Sequence, residues 1–153
     1  MNRRKFMLAG AALLPALVAS SETNGARLVV HLSYTGSGTV DQTHKVYVVL
    51  WESPDFVKNN AAPMQPFAVM PVASKSGVAR FNDIQKNPVY VSMAYDPTGA
   101  WEAKSEPPVG SSLGLYAKEP GAPAPIHLHP GKTTTISVTL DDSFKKTQMS
   151  KGQ

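Results

Sequence analysis

The chain contains no cysteine, which excludes disulfides, thiolate metal sites, cysteine nucleophiles and lipid attachment at a signal-peptide cysteine. Stability must therefore come from burial. It also has no G-x-S-x-G elbow: Gly36-Ser37-Gly38 and Gly110-Ser111-Ser112 have ordinary turn compositions, so no activated serine is visible. Apolar runs long enough to span a bilayer are absent too. The stretch from Leu8 to Ala19 is broken by Gly10 and Pro15 and falls short of the roughly 20 residues a membrane helix needs. No part of the chain after it keeps a helical period, and 13 prolines with 11 glycines argue against a helix bundle.

What is present begins with an address. Arg3 and Arg4, followed by Lys5, Phe6 and Met7 and then the uncharged stretch to Ala19, resemble a twin-arginine signal. The resemblance implies export of a folded protein to the periplasm or beyond, with residues 1–20 removed. No membrane span is expected after cleavage. The apparent basicity belongs largely to this leader. Without Arg3, Arg4 and Lys5, the 15 basic residues become 12 against 11 acidic ones, so the mature chain is close to neutral and no nucleic-acid partner is expected. Lys145, Lys146 and Lys151 cluster in a polar tail, 143–153, expected to be solvated.

Strand signals dominate the rest. Residues 26–34 alternate, with Leu28, Val30, Leu32 and Tyr34 on one face and Val29, His31 and Ser33 on the other. That pattern is a half-buried strand. Residues 45–51 are apolar on both faces, Val46, Val48 and Leu50 against Tyr47, Val49 and Trp51. This predicts a central strand with Trp51 in the core and a second covering layer. Further strands are expected at 67–70, 78–81, 89–95 and 133–140, with weaker candidates around Leu115 and Ile126. Seven or so short strands separated by proline-rich turns predict an all-β antiparallel sandwich over residues 26–142.

Two segments carry a family resemblance. Gly77-Val-Ala-Arg-Phe81-Asn-Asp-Ile84, a turn, and Val89-Tyr90-Val91-Ser-Met-Ala-Tyr-Asp96 resemble the signature of prealbumin-like domains, which include the transthyretin-like and carboxypeptidase-regulatory-like sandwiches of exported bacterial proteins. The ending Pro130-Gly131 through Ile136, Val138, Leu140 and Asp142 is similar too. The resemblance implies that Phe81 and Ile84 plug the core and that Pro130-Gly131 turns the chain into the last strand. It also implies an accessory or adhesive domain rather than a catalyst. Relatives often carry an acidic loop after the tyrosine strand. Here Asp96 is followed by Pro97, Thr98, Gly99, Ala100, Trp101 and Glu102, too few oxygen ligands for calcium.

The stretch 96–124 is the longest irregular one, and loops of that length are usually functional. Asp96, Trp101, Glu102 and Tyr116 are its candidate binding residues, with the aromatics supplying contact area and the carboxylates orientation, for a carbohydrate or protein partner. A bland role competes for Trp101, which could fold back as a cap. The alternative chemistry is a metal. His127 and His129, two apart, would share one face of a strand and could chelate copper or zinc with His31 or His44 as a third ligand. No enzyme and no cofactor are expected beyond that alternative.

Overall fold

A computed structural model describes residues 24–58 and 64–147; the leader falls outside them, as do residues 148–153. Among the described residues nine strands run in chain order. They are β1 (Ala26–Tyr34), β2 (Val46–Trp51), β3 (Ala68–Val72), β4 (Ser76–Ile84), β5 (Tyr90–Tyr95), β6 (Leu113–Leu115), β7 (Ala117–Glu119), β8 (Ala122–Pro123) and β9 (Thr133–Leu140). The order β4-β1-β9 makes a three-stranded sheet, β3-β2-β5-β6 makes a four-stranded one, and β7 with β8 forms a small ribbon. The chain is thus all-β, compatible with a sandwich. Every pairing is antiparallel except β1 with β9, which runs parallel from Arg27 opposite Thr133 to Tyr34 opposite Leu140. Period-two patterning cannot register this, because it sets which face is buried and not the partner's direction.

The inner faces interdigitate. Leu28 and Val30 of the first sheet and Val46, Val48, Leu50 and Val91 of the second are fully buried, each stabilising the fold by about 1.5–3 kcal/mol. Phe81 and Ile84 enter the same core, where the family resemblance placed them. Entry into β9 is a tight turn, in which the Lys132 N–H donates to the His129 carbonyl at 3.0 Å. Gly131 there has φ +71°, the geometry a type II turn demands after a proline.

Residues 143–145 and 147 are exposed, yet the backbone of 144–146 is paired. Leu113 N–H donates to Phe144 O, Lys146 N–H to Ser111 O and Gly110 N–H to Lys146 O, while Lys146 Nζ reaches Glu106 at 2.6 Å. Backbone pairing with the approach to β6 thus holds the segment down, a long-range bond that its polar composition gave no sign of.

Candidate functional site: two unlike outer faces

The 96–124 stretch is less irregular than its composition predicts, because it contains β6, β7 and β8. Its first turn is built by Asp96. Oδ1 accepts from the Thr98 N–H (2.8 Å) and hydroxyl (2.6 Å), and Oδ2 accepts from the Trp101 N–H at 2.9 Å. Burial pushes this carboxyl's pKa up, but the bonds from Thr98, Trp101 and Gly99 outweigh it and hold the group below its usual value. Asp96 is fully buried. It therefore shapes the loop from inside, and its carboxylate is not available to a ligand.

That turn lays Trp101 on the outer face of the four-stranded sheet. Its ring meets Tyr47 edge-on at 5.0 Å, and its backbone carbonyl accepts the Tyr47 hydroxyl at 2.7 Å. Burial, then the charges of Asp96 and Glu102, push the Tyr47 phenol above its usual pKa, so it remains a donor. Trp101 is half-buried, and Glu102 next to it is exposed and ion-paired with Lys104. Tyr116 belongs elsewhere. Its N–H donates to Val91 O, about 16 Å along β5 from Asp96 at a strand rise of roughly 3.3 Å per residue, and its ring packs against the core. The four residues singled out from the sequence therefore do not form one cluster.

Trp51 was expected in the core; it stands half-buried on the outer face of β2. There it stacks on Phe56 at 4.8 Å and donates through Nε1 to Ser92 Oγ at 2.8 Å. Phe56 belongs to a short 3-10 turn, Pro54–Val57, entered through Ser53, whose hydroxyl accepts the Asp55 N–H. The second layer that β2 demanded is thus supplied by two loop aromatics, Trp101 over Tyr47 and Phe56 over Trp51. Register adds Val69, Val49, Ser92 and Leu115 in one row between them. None of the four strands contains Asp, Glu, Lys, Arg or His. Tyr47 and Phe56 were the residues missed; β2's two apolar faces were the signal for Tyr47, while nothing local marked Phe56.

At the end of the sandwich nearest Trp101, Asp142 joins the two sheets. It accepts from Tyr34 Oη (2.9 Å) and Ser112 Oγ (2.6 Å) through Oδ1, and from Ser37 N–H (2.9 Å) and Oγ (3.0 Å) through Oδ2. Bonds from Ser112 and then Ser37, with Tyr34's, override burial and hold its carboxyl well below the usual range. Tyr34 stacks on Tyr95 at 4.9 Å, and Gly36 is required beneath them, since a Cβ there would stand 2.2 Å from Asp142 Oδ1.

The histidines are dispersed. His127 and His129 are both exposed, with buried Leu128 between them, so they share the solvent side as expected. His31 sits mid-β1 on the outer face of the other sheet, and His44 contacts Asp41 at 3.2 Å. Among the described residues no three His, Asp or Glu side chains converge as a metal site would need. No helix among them is long and apolar enough to cross a membrane.

Fold and face together define an all-β chain with one charge-free aromatic sheet surface. No protein-family model, curated protein or solved structure matches it.

Proposed function

We propose that the chain is an exported, non-catalytic binding module of prealbumin-like type, which engages a carbohydrate or protein partner through the outer face of its four-stranded sheet and the Trp101 loop. The observation that carries this reading is the row of half-buried aromatics, Trp101 and Tyr47 at one end and Trp51 with Phe56 at the other, on strands that hold no charge. Aromatic area of this kind is what recognition surfaces use for contact, with polar groups at the margin for orientation. Glu102, Lys104 and Ser105 supply that margin.

Both tryptophans of the chain lie on this face, so intrinsic fluorescence reports directly on its occupancy. Titration with neutral glucose and N-acetylglucosamine hexasaccharides, alongside capture on the immobilised protein, is expected to shift the emission for the true partner class. Trp101→Ala is expected to abolish the shift while the thermal melt is kept. Unmoved emission with no captured partner, or a Trp101→Ala variant that loses stability and keeps binding, would overturn the reading and leave Trp101 as a cover for Tyr47.

A further inference from the structure

The opposite outer face, that of β4-β1-β9, has a different chemistry. Register brings Arg27 beside Thr133, Val29 between Arg80 and Thr135, His31 between Val78 and Ser137, and Ser33 between Ser76 and Thr139. Hydroxyls and cations therefore tile this sheet face. The one carboxylate in the three strands, Asp83, stands in the bulge at the end of β4 against Gly25. Arg27 is braced across the strands, donating through Nε to Thr133 Oγ1 at 2.9 Å and through Nη2 to Gly131 O at 3.1 Å, which leaves other guanidinium N–H groups free. Arg80 is exposed and makes no ion pair among the described residues. With a strand spacing of about 4.8 Å and the rise given above, the two arginine Cα atoms lie about 8 Å apart. Lys132, exposed at the entry to β9, extends the positive strip.

We propose that this face is a second binding surface, for a sulfated or otherwise polyanionic glycan, independent of the aromatic one. Arginine pairs with planar or tetrahedral oxyanions through two N–H groups, while the threonine and serine hydroxyls exchange hydrogen bonds with sugar hydroxyls. The other polyanions fit less well. An anionic membrane holds a protein by inserted apolar side chains or by a denser cluster of roughly four to eight cations, and this face offers only Val29 and Val78 with Arg27, Arg80 and Lys132. Sequence reading of duplex DNA needs an element that enters a groove, which the broad face of a three-stranded sheet does not supply. A protein interface would be expected to have aromatic anchors, and this face has none.

The test is calorimetric titration with a heparin-derived hexasaccharide, a neutral hexasaccharide of equal length, phosphatidylglycerol vesicles and duplex DNA. Binding to the sulfated sugar alone is expected, lost at high salt because exposed charges are screened. The Arg27→Ser/Arg80→Ser double variant should weaken it about tenfold or more, and Thr135→Glu, which leaves both arginines in place, should do the same by repulsion. Lys118→Ser, on β7, should leave it unchanged. Melting curves of all variants confirm folding, and Thr135→Glu decides if the double variant does not fold. Absence of binding, equal binding to vesicles or DNA, or equal loss with Lys118→Ser would overturn the proposal.

Discussion

The two sheets share one core yet meet solvent in opposite ways. The central strand of each places a valine outward at a comparable point, Val29 on β1 and Val49 on β2. Val49 is 6% exposed, because Tyr47, Trp51 and their covering loops close around it, whereas Val29 lies half-open among hydroxyls and an arginine. The three-stranded sheet is thus a half-buried sheet in the ordinary sense, and the four-stranded one is buried on one side and partly roofed on the other. The aromatics of β2 and the loops laid over them make the difference.

Substituting each of these valines by aspartate breaks the comparison most sharply. Val49→Asp is expected to cost about 4 kcal/mol, since it places a carboxylate without a partner under aromatic cover, and Val29→Asp less than about 1 kcal/mol. Chemical denaturation reads both, and equal costs would show the roof to be open. Next in size is the join between the sheets. Asp142→Ala removes four bonds to one carboxylate and is expected to cost about 3 kcal/mol. Because the Asp142 and Asp96 pKa values are depressed on folding, the unfolded state binds more protons in acid. Stability is therefore fully present above the ordinary carboxylate pKa of 3.8 and falls as pH drops below it. Melts between pH 7 and pH 2 should show this fall, and it should be shallower in Asp142→Asn.

Trp51→Ala is expected to cost about 2 kcal/mol, less than for a fully buried tryptophan because the ring is only half-covered, while His31→Ala on the other face should cost next to nothing. Ser111→Ala is expected to act with the opposite sign. The Ser111 hydroxyl is buried without a partner among the described residues, so its removal is expected to raise stability by up to about 1 kcal/mol. A lower melting temperature would mean that the hydroxyl holds a bond to buried water.

Much of the fold was legible because burial imposes a period. The run 26–34 reads as a strand and is one, and 133–140 coincides with β9. Trp51 misled for a physical reason, since a strand apolar on both faces does not say which side meets the other sheet and which meets a loop. Asp142 could be read only as the end of a strand, because its partners Tyr34, Ser37 and Ser112 lie 108, 105 and 30 residues away. Asp96 reversed its expected role. An acidic residue opening a Pro-Thr-Gly loop looks like a ligand group, but the same composition is what an inward-turned Asx staple needs.

The parallel pairing of β1 with β9 also bears on how the chain comes to be folded. The central strand of the three-stranded sheet finds its second neighbour only across a separation of 106 residues, Arg27 to Thr133, so closure of that sheet carries a large loop entropy and belongs to the slow, high-contact-order class. A ribosome must have released Leu140 before the first strand can be completed. Until then β1 offers an open hydrogen-bonding edge, and the interval between synthesis and closure is when this chain is most exposed to aggregation or to capture by a chaperone.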